Sequence, residues 1–547
     1  MYSSRMKVNL CCWLLVFFLG ISFLSFASPP DSIWLEGFEE PAKEGGTLHA
    51  TTLAGEFQML PPNKLLARTL KWPIYEPIIQ IHWDGTKFVP AVAESWEVSE
   101  DNTKFTFHLR EGAMWHDGHP VDSGDVIFTY HAILHPKFPV VGLQELETIK
   151  GYEAYASGEC DSLAGLSAPD ERTVVMEVNS PYAEFLQGPA KALLLPEHIL
   201  GDIPMADLAG ADFWKKPVGI GPFKFVSRRA GEFVVTERFE DYYRGTPKMA
   251  EVVLMQIPEE STETRVSSLL DGSLDIADHH WQLTQAQKDR IDKDPDLLFL
   301  SHPGNLVRGF TFKETKEYLT PEVRRALMTA INSEELINAV VGYGEPIQTF
   351  VPSAVSPNLD RWSYDLEKAK EMLEEAGWDF DRKLQLVTYY GTDRFRNILQ
   401  AIASYWDRIG VKADVTLVGD FSTFNERWGS TDWGDICFCG IGARGLAWST
   451  IDHYIHSERT YSKGFNAGYA SDKADELIEK LRETADQDER IELLYELEEV
   501  VHEDVALGPI WAVMETRVIN KRLNNYKFNV VANMPAYFGT YLWWIEE

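Results

Sequence analysis

Cysteine, basic charge and long apolar runs are all scarce in this chain, and each shortage removes a class of function. Of 547 residues, five are cysteine. No CxxC pair and no zinc spacing occurs among them, so a dithiol redox motif and a structural zinc site are not expected. Lys and Arg number 51 against 84 Asp and Glu, a formal charge of −33. A surface so acidic repels the phosphate backbone, which excludes nucleic acid as a partner. Acidic exposed helix faces account for the surplus without any acidic site. There is no G-x-S-x-G, no H-E-x-x-H and no P-loop, and no catalytic residue is assigned.

One long apolar run is present, from Leu10 to Phe26, preceded by Arg5 and Lys7 and followed by the small residues Ser25 and Ala27. That order is an export signal, removed after residue 27, so that the mature chain starts near Ser28. A retained anchor is the competing reading, since the run approaches the length of a membrane span. The small-residue exit and the following Pro29-Pro30 favour cleavage. Cys11 and Cys12 precede most of the apolar region, not the arrangement of a lipoprotein. Cleavage removes two basic and no acidic residues, which leaves −35 charges. A free periplasmic protein is expected. Cys160, Cys437 and Cys439 remain, and two readings stay open: one disulfide with an odd thiol, or buried free thiols, since Cys437 and Cys439 alternate along a strand pattern.

A mature length of about 520 residues exceeds one core, so at least two lobes are expected. The stretch 90–130 is the densest in signal. Trp96 and Val98, then Phe105, Phe107 and Leu109, alternate with polar residues around the turn Ser99 to Thr103, which reads as a hairpin. Trp115-His-Asp-Gly-His-Pro120 follows as a tight loop, and Asp122 or Ser123 caps a helix through Asp125, Val126 and Phe128. This AESW hairpin, HDG-x-P loop and D-V-x-F helix start, in fixed order, resembles the signature segment of the family 5 solute-binding proteins, the dipeptide, oligopeptide and nickel receptors of ABC importers. Pro217-Val-Gly-Ile-Gly-Pro222 with Phe233 to Tyr243 resembles a second family segment independently, and Pro321 to Ile331 a third. The resemblance covers Gly45 to the end.

The resemblance implies an α/β, two-lobed periplasmic-binding-protein fold (type II, cluster C-like) with an extra subdomain in the first lobe. The expected division is a signal at 1–27, a lead at 28–44, the first lobe at 45–280 plus 515–547 with an inserted subdomain at about 75–190, and the second lobe at 281–514. The hinge is expected near Ala277 to Leu283, with a return strand at Ile510 to Val518. Local patterns predict mostly helix at Val140 to Tyr155, helices at Asp365 to Ala376, Arg396 to Gly410, Lys473 to Asp486 and Asp488 to Glu503, and strands at Val411 to Val418 and Asp435 to Cys439.

Gly440-Ile-Gly442-Ala-Arg-Gly445 matches G-x-G-x-x-G, but no βαβ unit with a placed acidic residue follows, so a dinucleotide site is rejected. The glycines let backbone approach a ligand. Where the family's peptide receptors carry G-W-x-x-D, whose Asp meets a ligand ammonium, this chain has Arg444 and Ile441. An Arg repels an ammonium and binds carboxylate or phosphate. Arg444 is therefore a cleft candidate, the alternative being a surface charge. Matching family positions add Glu76 on a Y-E-x-L helix segment, His279 and Trp281 at the crossover, Tyr389, Tyr390 and Arg394 on the loop after Leu384 to Val387, and Trp448. His279 and His280 do not point to one metal, because neighbours on a strand face opposite ways. No cofactor and no metal are expected.

The expected function is the periplasmic receptor of an ABC importer: a monomer that captures a small, peptide-like solute between its lobes and hands it to an inner-membrane permease with a cytoplasmic ATPase. An oligosaccharide or an anionic, opine-like solute is the alternative within the fold. A secreted hydrolase and a chemosensory receptor are the alternatives in kind.

Overall fold

The computed structural model describes residues 35, 37–41, 43–53, 73–83, 87–138, 144–257, 261–277, 283–350, 362–419, 421–428, 434–441, 451–459, 466, 468–484, 486–528 and 539–546. The fold is a mixed α/β arrangement in two lobes, and one sheet of eleven strands runs through both. In the second lobe, Lys383–Thr388 pairs in parallel with Lys412–Leu417 and with Ile436–Ile441. In the first, Thr47–Leu53 pairs in parallel with Glu251–Ile257 and with Ile276–Ala277. Phe233–Arg238 and Phe223–Arg229 extend that half antiparallel.

Two long antiparallel strands, Leu297–Phe312 and Leu507–Asn520, join the halves. Leu297 to Pro303 faces Asn520 to Met514, beside Ile276–Ala277 of the first lobe. Val307 to Phe312 faces Ile441 to Ile436 of the second. The register shifts between Pro303 and Val307 and again between Arg308 and Gly309. A bulge twists and bends a strand pair, and both shifts fall where the chain passes from lobe to lobe. Glycine is required there: a Cβ on Gly309 would run into the Gly508 carbonyl and sit 2.8 Å from Pro509 Cα. Residues 278–282, within the segment expected to form the hinge, lie outside the described residues.

The second-lobe sheet is covered on both faces. Phe310, Phe438, Leu386 and Ile436 pack under helices Pro321–Thr329, Leu366–Glu375 and Asp393–Asp407, with Trp406 at the centre. Cys437, Cys439 and Ile441 face the other way, against Phe424, Trp428 and helices Asp472–Glu483 and Gln487–Glu503. Every residue of Ile436–Ile441 is consequently buried, as expected of a strand covered on both faces. Cys437 and Cys439 are buried free thiols, and Cys160 is free and half-buried.

The inserted subdomain is a four-stranded antiparallel sheet in the order Ala93–Val98, Lys104–Leu109, Thr173–Glu177, Leu166–Asp170. The expected hairpin is present. Ser99 Oγ accepts from Lys104 N at 2.9 Å, and Asn102 takes a left-handed turn position at φ 51°. Asp122 caps helix Ser123–Leu134 through Gly124 N at 2.8 Å, and Asp125 answers by accepting from Asp122 N at 3.2 Å, a reciprocal cap. The same Asp125 accepts from Trp115 Nε1 and from Glu197 N, each at 2.9 Å.

His116 fixes the HDG loop to the Val-Gly-Ile-Gly-Pro segment. Its Nδ1 accepts from Gly219 N at 3.1 Å while Nε2 donates to Gly221 O at 2.9 Å. Burial pushes its pKa down to about 4. The two most recognisable motifs of the chain therefore serve the scaffold and bind each other. Val140 to Tyr155, expected to be mostly helix, differs: its described part is a 3-10 turn at Gln144–Thr148 and a short helix at Tyr152–Ser157. Gly151 at φ 85° separates them. Among the described residues no helix is long and apolar enough to cross a membrane.

Candidate functional site

Parallel strands put their carboxyl ends on one edge, and in open α/β sheets ligands bind just outside that edge. For Lys383–Thr388, Lys412–Leu417 and Ile436–Ile441, this edge is the one the crossing strand reaches first. Leu297–Phe312 arrives from the first lobe, and its Val307 lies opposite Ile441. The carboxyl edge of the second-lobe sheet therefore faces the junction of the lobes.

Tyr389 and Tyr390 follow Thr388 at this edge, and Gly440 and Ile441 end the neighbouring strand. Thr388 Oγ1 donates to Phe438 O at 2.9 Å and accepts from Tyr390 N at 3.3 Å, which sets the exit angle of the tyrosine pair. The hydroxyls of Tyr389 and Tyr390 are 2.6 Å apart. The Tyr390 ring stacks on Phe395, centroids 4.2 Å apart, while Tyr389 meets Phe424 edge-on at 5.4 Å. Desolvation raises both phenol pKa values.

Arg308, on the crossing strand, completes the wall. Its guanidinium lies 4.5 Å above the Tyr390 ring and 5.5 Å from Phe395, and it donates to the Tyr390 hydroxyl. Opposite it in register is Gly440, where a Cβ would come within 3.0 Å of Arg308 Nη1 and 3.3 Å of Tyr390 Oη. The missing side chain makes room for the Arg308–Tyr390 pair. Tyr454 Oη secures the same strand end by donating to Gly440 O at 2.7 Å.

Arg394 enters this neighbourhood from the first turn of helix Asp393–Asp407, not from the loop where the sequence reading put it. Its Nη2 donates to Val341 O at 2.6 Å. Burial lowers its pKa to about 10, and the charge of Arg308 adds to the effect.

The structure thus brings Tyr389, Tyr390 and Arg394 together and adds Arg308, which the sequence reading missed. The available signal was an Arg set among Val307, Gly309 and Phe310 in an otherwise apolar strand. Glu76 lies elsewhere. It was expected on a helix, but Tyr75 and Glu76 are not helical, since Pro77 bars the helical conformation from the residue before it. The Glu76 carboxylate is buried in the first lobe. It accepts from Tyr242 Oη at 2.7 Å and from Tyr243 Oη, with Arg110 and Arg244 over the Tyr243 ring. Desolvation raises its pKa against the opposing pull of Arg244. Arg444, His279, Trp281 and Trp448 lie outside the described residues, as do Gly442, Gly445 and His280.

Comparison with known proteins fits this geometry. A di/tripeptide-binding protein of Pseudomonas aeruginosa is 25% identical over 476 residues, 84% of this chain and 87% of that protein. The solved structure of the ABC transporter substrate binding protein CtaP from Listeria monocytogenes superposes with a TM-score of 0.75 at 24% identity, covering 92% of this chain and all of that one. AgaA from A. tumefaciens R10, solved with agropinic acid, gives a TM-score of 0.70 at 27% identity over 92% of this chain and 99% of that one. The model of the bacterial extracellular solute-binding proteins, family 5, matches residues 87–496. The chain belongs to that family of extracellular solute-binding proteins.

Proposed function

We propose that the protein is the periplasmic binding component of an ABC importer. It captures a peptide or peptide-like solute between its lobes and delivers it to an inner-membrane permease driven by a cytoplasmic ATPase. The observation that carries this reading is the position of the Arg308–Tyr390–Tyr389 wall, at the carboxyl edge of one lobe and directly beside the two strands that lead to the other. A solute held there and touched by both lobes supplies the differential affinity that favours a closed form. In this reading Tyr389, Tyr390 and Arg394 line the second-lobe side, and Arg444 and Trp448 follow the same strand in sequence. His279 and Trp281 belong to the crossover. Glu76 supports the first lobe, because both its carboxylate oxygens are occupied by tyrosines.

The relatives named above as peptide-binding proteins support the solute class. The domain division is the expected one, with residues 1–27 removed and no lipid anchor. The protein acts as a monomer and makes or breaks no bond. The decisive experiment identifies by mass spectrometry whatever co-purifies with the protein, returns it to stripped protein, and follows small-angle scattering. Compaction on saturation is the expected result. An unchanged radius of gyration, or turnover of the returned compound, overturns the reading.

A further inference from the structure

We propose that Arg308 and Arg394 form an anion-binding subsite that receives a carboxylate of the solute. This deepens the receptor reading and rests on it.

The chain has 84 carboxylate side chains to 51 basic ones, so an Arg is rarely short of a partner. Arg490, Arg482, Arg324, Arg517, Arg522 and Arg290 all pair with Asp or Glu. Arg308 and Arg394 do not: among the described residues, neither has a carboxylate within ion-pair distance. Each has one hydrogen bond, and each goes to a neutral oxygen, Tyr390 Oη for Arg308 and Val341 O for Arg394. Both side chains are only partly exposed, and the two charges act on one another. Two like charges withdrawn from water without a counter-charge are costly to keep. The remaining guanidinium donors are the ones a carboxylate matches in geometry.

The surroundings are built for such a guest. The stacked rings of Tyr390 and Phe395 hold the Arg308 guanidinium flat by its face, which leaves its edge for hydrogen bonding. Gly440 removes the side chain that would collide with Arg308 Nη1 and Tyr390 Oη. The pair sits on the edge turned to the lobe junction, where a solute arrives. A structural role for Arg308 would call for an acidic neighbour in so acidic a chain. None of the described residues supplies it.

The test uses tri-alanine and its C-terminal amide as probes, titrated calorimetrically into the full mature protein, the Arg308→Gln variant and the Arg394→Gln variant, each checked for folding by circular dichroism. Wild type is expected to prefer the free acid. Arg308→Gln is expected to lose on the order of thirtyfold or more in affinity for the acid and to bind acid and amide alike. Equal binding of acid and amide by wild type, or an acid preference that survives both substitutions, overturns the subsite. If wild type binds neither peptide, the peptide reading fails separately, and citrate then decides. Thermal stabilisation by citrate that disappears in Arg308→Gln and in Arg394→Gln upholds the subsite, and no effect of citrate on wild type overturns it. Arg394→Gln keeps the question answerable if Arg308→Gln does not fold.

Discussion

Arg490 and Glu184, 306 residues apart in sequence, form an ion pair whose side chains are 5% and 2% exposed. Glu184 belongs to the inserted subdomain of the first lobe, held there by its neighbour Phe185 in the subdomain core. Arg490 belongs to helix Gln487–Glu503 of the second, where its Nη1 also donates to Leu481 O at 2.6 Å. Beside the pair, Ala183 N donates to Arg482 O at 2.7 Å. This contact closes a ring whose other link is the pair of crossing strands.

Glu184→Gln leaves the buried Arg490 cation without its counter-charge, which costs about 3–5 kcal/mol in comparable sites. The interlobe contact is the weakest place to absorb that loss, so the lobes are expected to part. Scattering of the variant at saturating ligand should show a larger radius of gyration than wild type, and the combination Glu184→Leu with Arg490→Met should recover part of the difference. An unchanged radius in Glu184→Gln refutes the latch.

Gly440→Val tests the site from the opposite strand. The new side chain meets Arg308 Nη1, Tyr390 Oη and Leu306 Cδ1, at 2.8 Å from the last, and these are ends of side chains that can move aside. Ligand affinity is expected to fall at least tenfold, about 1.4 kcal/mol, while the unfolding midpoint changes little. A variant that binds normally places the ligand away from this edge.

Gly309→Ala shows the reverse pattern. Its Cβ meets backbone, the Gly508 carbonyl and Pro509 Cα, which cannot rotate away. A loss of about 1–3 kcal/mol in denaturant unfolding is expected from forcing the crossing strands apart. Wild-type stability in this variant would mean that the bulge is not tightly packed.

His116 gives a pH signature. Its folded pKa of about 4 lies below the ordinary value of 6.5, so the unfolded chain takes up the proton first. The stability tied to neutral His116 is complete above about pH 6.5 and is lost as pH falls toward 4, on the order of 3 kcal/mol across that window. Urea midpoints of wild type and His116→Gln should therefore converge between pH 7 and 4.5. Parallel curves would remove His116 as the cause.

What was legible in the sequence was local. Trp96, Val98, Phe105 and Phe107 declare a hairpin by their period of two, Asp122 declares a helix start by its cap, and Gly377 at φ 71° ends the helix before it. The resemblance supplied the two-lobed fold, since the pairing of Leu297–Phe312 with Leu507–Asn520 joins segments about 200 residues apart and leaves no local trace. Pro303 and Gly304 interrupt the first of these strands and hide its continuity. Arg308 escaped for the same reason: its meaning lies in Tyr390 and Gly440, which only the sheet brings beside it. Arg394 was found, yet placed on a loop, because the helix begins at Asp393, earlier than its apolar spacing suggests.

Leu507–Asn520 gives its first six residues to the second lobe and its last seven to the first. Neither lobe therefore owns a complete sheet. Cutting the gene at the lobe boundary would strand Val307 to Phe312 or Ile276–Ala277 without a neighbour, so the two halves are expected to melt as one cooperative unit in calorimetry. The receptor moves like a hinge but is inherited, translated and degraded as a single piece.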